Sequence, residues 1–97
     1  MATGSIIKPA KIESITVTGT TDSNAYIETG LLSANNVFLG ATNAILNGSR
    51  FRPIMATPLF DGGNSGNIIS LRIANFAGDI TQFKNANISL TVFYMKV

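Results

Sequence analysis

The sequence contains no cysteine, no histidine and no tryptophan. The absence of cysteine excludes disulfide bonds and thiolate metal sites. The absence of histidine removes the commonest general base and a common metal ligand. Catalysis by this chain would therefore have to rest on carboxylates, and neither a cofactor nor a bound metal is expected.

Charged residues are also scarce. They make up 12% of the 97 residues, whereas roughly 25% is usual in soluble domains. Seven basic and five acidic residues give a net charge of +2, and the basic residues are scattered apart from Arg50 and Arg52. A nucleic-acid partner is not expected, because no clustered basic face is present to neutralise phosphates. With 45% hydrophobic residues, the composition indicates a surface that is partly covered by assembly.

Long apolar segments are missing too. No segment approaches the roughly 18 apolar residues of a membrane span, so membrane insertion is not expected. No window shows a 3.6-residue apolar period, and short β-rich segments alternate with Gly- and Asn-rich turns. This pattern predicts an all-β protein, a small antiparallel β-sandwich that is jelly-roll-like. Residues 11–97 are expected to form this single domain, after an extended leader or anchor at residues 1–10.

The carboxylates do not form a recognisable catalytic pair. Asp22 and Asp79 lie in turn segments, where Asp side chains usually accept backbone hydrogen bonds. Asp61 opens a glycine-rich segment, but a single carboxylate is few for a calcium ion, and the Lys and helix of a phosphate-binding loop are missing. The chain is therefore not expected to be an enzyme. The alternative left open is a carbohydrate-acting enzyme that pairs Asp61 with another carboxylate.

The segment 88–95 gives the strongest strand signal. Its alternate residues form two sets, one for each side of a strand, which are the two parities of the segment. The first set is Ile88, Leu90, Val92 and Tyr94, and the second is Ser89, Thr91, Phe93 and Met95. A pleated strand would present the first set as a fully apolar face and the second as a mixed face that becomes apolar near its end. Such a strand needs cover on both sides, which predicts a second sheet on one face and a neighbouring subunit on the other.

Other strands are predicted from similar alternation. The segment 68–75 should turn Ile69, Leu71 and Ile73 inward. The segment 11–18 alternates as well, although Ile12 falls on the wrong parity, which a bulge or a late strand start would explain. After turn residues 19–24, the segment 25–28 is expected to return as the second strand of a hairpin.

Binding residues are expected in two loops and a short strand. Arg50 and Arg52 should share one face with Phe51 opposite, where they would bind a carboxylate or acidic sugar, or remain as solvated arginines beside an acid. The loops 42–49 and 59–67 offer amides and a carboxylate that match sugar hydroxyls, together with an aromatic ring for stacking. The candidate ligand-binding residues are Asn43, Asn47, Arg50, Arg52, Phe60, Asp61 and Asn64.

The order of these segments resembles the small carboxy-terminal β-sandwich domains of bacteriophage tail fibres and receptor-binding proteins. Residues 15–25 resemble an opening "TVT…TDSNG" hairpin, and residues 36–41 supply a second β-rich segment. Residues 71–78 resemble "VRVYNSDG", and residues 90–95 resemble a terminal "VTVTYYYI". The resemblance covers roughly residues 12–96 and has no invariant catalytic signature.

The resemblance implies a compact homotrimeric head on the surface of a virion. Such a head adheres to a bacterial surface carbohydrate or protein, and it contacts other virion proteins. The alternative is a structural role, as a capsid-decoration or head-fibre protein. In that case the leader would anchor the protein by adding a strand to the sheet of a partner.

Overall fold

The computed structural model describes residues 11–48, 50–59 and 68–96. Over these residues the chain forms eight β-strands and one short 3₁₀ turn at Thr81–Phe83, without an α-helix. This confirms the prediction of an all-β chain. The strands are β1 (Ile12–Thr20), β2 (Tyr26–Leu32), β3 (Asn36–Ala41), β4 (Ala44–Leu46), β5 (Arg50–Arg52), β6 (Met55–Leu59), β7 (Ile68–Ala74) and β8 (Asn87–Lys96).

Strand β8 is the centre of the larger sheet, which we call sheet A. Strand β1 runs antiparallel along one edge of β8, from the pair Ile12–Met95 to the pair Thr20–Asn87. The other edge of β8 is shared, because β3 pairs with its carboxy-terminal half and β4 with its amino-terminal half. Strand β5 completes the sheet by pairing with β4.

Strand β7 is the centre of the smaller sheet, sheet B, with β2 on one side and β6 on the other. All pairs in this sheet are antiparallel. Strand β6 contains Pro58 opposite Leu71. A proline cannot donate to a sheet ladder, so its place on an edge strand of the described residues is the one expected.

The two sheets enclose one apolar core. The two central strands supply most of it, and their inward residues are at most 3% exposed: Ile69, Leu71 and Ile73 from β7, and Ile88, Leu90 and Val92 from β8. Phe83, which is fully buried, joins the same cluster from the 3₁₀ turn. The inward parities predicted for β7 and β8 are therefore confirmed, as is the second sheet over one face of β8.

The corner between β1 and β2 is held by side-chain hydrogen bonds. The buried Thr21 hydroxyl donates to the carbonyl oxygen of Phe83 and accepts from the amide of Ala86, at 2.9 Å. The next residue, Asp22, accepts the amides of Asn24 and Tyr26 with one carboxylate oxygen, at 2.8 and 3.0 Å. These bonds turn the chain sharply at the end of β1.

Two sequence predictions are wrong at this end of the chain. Strands β1 and β2 do not form a hairpin, because β1 pairs with β8 in sheet A and β2 pairs with β7 in sheet B. The corner described above directs β2 into the other sheet. Ile12 involves neither a bulge nor a late start, since its register with β8 is unbroken. It faces outward and is 57% exposed.

Candidate functional site

The outer surface of sheet A, on the side away from the core, is the most distinctive surface of the described residues. We call it the outer A face. Because Ile88, Leu90 and Val92 point into the core, the alternate residues of β8 point outward. Their partners on the neighbouring strands lie on the same face, so the register defines it row by row.

One end of the outer A face is an apolar patch. In the first row, Met95 lies between Ile12 of β1 and Val37 of β3. In the next row, Phe93 lies opposite a β-bulge that contains Leu39 as its extra residue. The exposed fractions are 57% for Ile12, 41% for Val37, 48% for Leu39 and 38% for Phe93. The apolar patch consists of these four residues and Met95.

The middle of the outer A face is a hydroxyl band of Thr16, Thr18, Thr42, Ser89 and Thr91. Thr16 lies opposite Thr91, and Thr18 lies opposite Ser89. The Thr18 hydroxyl donates to the Ser89 hydroxyl at 3.0 Å. The Thr42 hydroxyl accepts the amide of Thr91 at 3.3 Å. The band therefore presents hydroxyl groups that can both donate and accept hydrogen bonds.

A second apolar pair lies beyond the hydroxyl band. Ile45 of β4 lies opposite Ser89 of β8, and Phe51 of β5 lies opposite Ile45. Phe51 is 71% exposed, the largest value among the exposed large hydrophobic residues of the described chain. The outer A face is thus apolar at both ends and neutral and polar between them.

No ionisable side chain lies on the described part of the outer A face. Charged residues lie beside this face. Glu13 and Lys96 belong to the inward parity of β1 and β8 and form an ion pair at 3.5 Å, and Lys11, just before β1, accepts the backbone amide of Lys96. By contrast, the outer surface of sheet B carries Glu28 and Arg72, both exposed. Depletion of charge is typical of the centre of a protein–protein interface.

The hairpin of β4 and β5 carries four of the seven predicted ligand-binding residues. The register pairs Arg52 with Ala44 and Arg50 with Leu46, while Phe51 pairs with Ile45. Ala44 and Leu46 are buried, so this register assigns both arginine positions to the inner side of the sheet. The two arginine positions share one face with Phe51 opposite, as the sequence predicts, but Phe51 is on the solvent side.

Arg52 does not fit the alternative of a solvated arginine. Its side chain is half-buried, and its Nε atom is buried without a hydrogen-bond partner among the described residues. A buried donor that lacks an acceptor is costly in free energy. Arg52 is therefore held against the edge of the core.

The two asparagines lie at opposite ends of β4. Asn43 is exposed just before the strand. Asn47 follows it, in the left-handed region with φ of 51°, and its amide oxygen accepts the backbone amide of Asn87 at 3.2 Å. Since a strand rises about 3.3 Å per residue, the Cα atoms of these residues, four positions apart, are separated by up to about 13 Å. The structure therefore brings all four residues onto one hairpin but does not gather them into one cluster.

The other predicted binding residues, Phe60, Asp61 and Asn64, lie outside the described residues, as does the leader at residues 1–10. Sequence reasoning did not single out Ile12, Val37 and Leu39 as surface residues of interest. The parity of Ile12 was a usable signal, since an isoleucine on the outward side of a strand needs cover. Leu39 carries no such signal, because its orientation depends on a bulge.

Within the described ranges, no group of three or more His, Cys, Asp or Glu is placed to hold a metal ion. The same part of the chain contains no helix long and apolar enough to cross a membrane. Asp79 caps the turn that leads to Thr81, whose hydroxyl and amide donate to it at 2.6 and 2.8 Å. These hydrogen bonds lower the pKa of Asp79, which is the turn role expected for this residue.

Comparisons with known proteins add no relative. A scan against protein-family models and searches of curated proteins and of solved structures found no match to the chain. Function is therefore inferred from the chemistry and geometry of the described residues.

Proposed function

We propose that the protein is a non-enzymatic virion protein of a bacteriophage, a receptor-binding or fibre-tip domain that works as a homotrimer. It adheres to a bacterial surface carbohydrate or protein through exposed loops. The observation that supports this most is the outer A face, with its exposed apolar residues and no ionisable group among the described residues. Such a surface suits contact with another protein surface better than contact with water.

The strand pairing supports a sandwich of jelly-roll type. In a jelly roll the first strand pairs with the last and the second with the last but one, as β1 does with β8 and β2 with β7. The strand count departs from that arrangement, since five strands lie in one sheet and three in the other. The β4–β5 hairpin lies in sheet A, and β6 pairs with β7 in sheet B.

A trimer would turn weak sites into useful adhesion. Each copy would present the exposed Asn43 and Asn47 from the β4–β5 hairpin. Arg50, the exposed part of Arg52, Phe60, Asp61 and Asn64 would complete the site. Three such sites on one particle raise the effective concentration at a repetitive cell surface, so weak single-site affinity is enough. Glycans with hydroxyl and carboxylate groups match amide and guanidinium donors.

The test is a glycan array combined with adsorption to bacterial cells. The double variant Asn43→Ala/Arg50→Ala should bind at least tenfold more weakly than the unaltered protein. The matched control is Asn24→Ala/Arg72→Ala, which removes the same two residue types at exposed positions elsewhere and should bind normally. Failure of the assembled, unaltered protein to bind any glycan or cell surface would overturn the proposal.

The alternative is a capsid-decoration or head-fibre protein anchored by residues 1–10. The observation that favours it is the position of β1, nine residues long at the edge of sheet A and paired only with β8 among the described strands. A free strand edge can be extended by another chain. Deleting residues 1–10 separates the two roles. Loss of attachment to particles with cell binding intact supports the anchor, and unchanged attachment contradicts it.

A further inference from the structure

We propose that the outer A face is where copies of this chain meet, with the apolar patch of Ile12, Val37, Leu39, Phe93 and Met95 buried in the contact. The occupant of the face is therefore another copy of the same chain. This inference rests on the homo-oligomer in the proposed function, and it assigns the surface through which that oligomer forms.

The first support is the distribution of charge. In a symmetric oligomer, a charged group close to the symmetry axis approaches the same group of another copy, which opposes association. The described part of the outer A face carries no ionisable group, whereas Glu28 and Arg72 occupy the outer surface of sheet B. The described part of the outer A face can therefore lie at a symmetry axis without bringing like charges together.

The second support is the chemistry of the hydroxyl band. A hydroxyl both donates and accepts, so it is complementary to another hydroxyl. Thr16 and Thr18 on β1 are exposed, and Ser89 and Thr91 on β8 are partly exposed. A band of this kind can form hydrogen bonds with its own copy, which ammonium or carboxylate groups cannot do. Near a symmetry axis each hydroxyl faces the same group of another copy, so this capacity suits a contact between copies.

The third support is size. Strands of nine and ten residues at about 3.3 Å per residue, with roughly 4.8 Å between neighbouring strands, give the outer A face an area of about 500 Å². A standard interface buries roughly 800 Å² on each partner. The face therefore supplies most of the area that one such contact needs.

The test compares two Leu→Lys variants by light scattering, with circular dichroism as a check on folding. Leu39 is in the apolar patch, and Leu59 is on the outer surface of sheet B, with exposed fractions of 48% and 38%. The unaltered protein and Leu59→Lys should show three times the 10.2 kDa mass of one chain. Leu39→Lys should show the mass of one folded chain.

A second variant tests the same patch in case Leu39→Lys perturbs the bulge. Ile12→Lys places a charge at the edge of the same patch, in a strand with unbroken register, and it should also give single chains. The inference is overturned if the unaltered protein is monomeric, including the case in which it binds only a different protein. It is also overturned if both Leu39→Lys and Ile12→Lys, once folded, keep the oligomer.

Failure of this inference can be told apart from failure of the proposed function. Beads densely coated with monomeric Leu39→Lys restore multivalency without the oligomer, so they should still bind the cell surface. An unaltered protein that assembles but binds no glycan or cell overturns the proposed function, and the outer A face is still supported if Leu39→Lys then gives single folded chains. If the unaltered protein has the mass of two chains and Leu39→Lys has the mass of one, the outer A face is supported as the contact surface, but the trimer is contradicted.

Discussion

At the scale of single residues, Thr21 joins the end of β1 to the segment 83–86. Its backbone amide donates to the carbonyl oxygen of Ala86 at 2.9 Å. Its hydroxyl accepts the Ala86 amide and donates to the Phe83 carbonyl oxygen. Since Thr21 is 2% exposed, water cannot replace these partners. The residue therefore fixes the end of β1 to the segment that enters β8.

Replacing Thr21 with valine should lower the free energy of unfolding by about 1–3 kcal/mol, because it leaves a buried amide and carbonyl without a partner. Urea unfolding at neutral pH measures the change. The matched control is Thr20→Val, an exposed neighbour, which should change stability by less than about 0.5 kcal/mol. Equal effects at both positions would contradict the role assigned to the Thr21 hydroxyl.

Asp79 makes the stability depend on pH in a defined direction. Hydrogen bonds from Thr81 lower its pKa in the folded protein below the ordinary value of 3.8. Its contribution to stability is therefore present above pH 3.8 and is lost as the pH falls below that value, through the folded pKa. Unfolding midpoints at pH 6 and pH 3 should differ less for Asp79→Asn than for the unaltered protein. An equal or larger difference in the variant would contradict the assignment.

Ile12 shows what single residues can and cannot reveal in advance. Its outward parity is visible in the sequence, but a bulge and a late strand start are as compatible with that parity as an exposed isoleucine. The choice depends on the register with β8, which is set by residues more than 70 positions away. Local alternation identifies the anomaly, and only the distant partner explains it.

At the scale of elements, strands with a long alternating pattern were predictable from the sequence. The strands with which they pair were not. β7 and β8 have seven and ten residues, enough for the period of two to identify the buried side. The hairpin predicted for β1 and β2 was wrong because turn-forming residues indicate a change of direction only. They do not indicate whether the returning strand stays in the same sheet.

In very short strands, the alternation of residues does not identify the buried side. β4 and β5 have three residues each, so either side of the strand can be the inner one. The sequence predicts that Arg50 and Arg52 share a face, and the pairing of β4 with β5 sets these two positions opposite Leu46 and Ala44. It does not predict that this face is the inner one, because that depends on Ala44 and Leu46 being buried.

The core between the sheets can be tested with matched leucines in sheet B. Leu71 of β7 is fully buried and Leu32 of β2 is 47% exposed. Leu71→Ala should lower the free energy of unfolding by about 2–5 kcal/mol, because it removes buried apolar atoms and leaves a cavity. Leu32→Ala should cost less than about 1 kcal/mol. Chemical denaturation measures both, and a similar loss at the two positions would contradict the assigned core.

At the scale of the whole molecule, the two outer surfaces differ in charge although the overall composition is low in charge throughout. Composition alone predicts that some surface is covered by assembly, but it does not say which one. The assignment to sheet A requires the register of β1, β3 and β8, which brings Ile12, Val37 and Phe93 together from three parts of the sequence. A candidate site made of such distant residues is not visible as a motif.

The uncharged character of the outer A face predicts how assembly responds to salt. Sodium chloride screens charges, and no described charge lies at the proposed contact, so the oligomer mass should stay the same between low and high sodium chloride. Ammonium sulfate, which strengthens apolar association, should shift a dilute sample toward the oligomer. Light scattering across a dilution series measures both effects. Dissociation in high sodium chloride would show that charged residues hold the oligomer together.

The central position of β8 has a consequence for biosynthesis. β1, β3 and β4 all leave the ribosome before the strand that pairs with each of them has been translated. Until β8 emerges, their backbone amides and carbonyls remain open to non-native pairing, as exposed strand edges are. In sheet B, β6 can pair sooner, because its partner β7 is the next strand in the chain. We therefore expect nascent chains stalled just before β8 to bind chaperones, and completed chains to fold in one late, cooperative step.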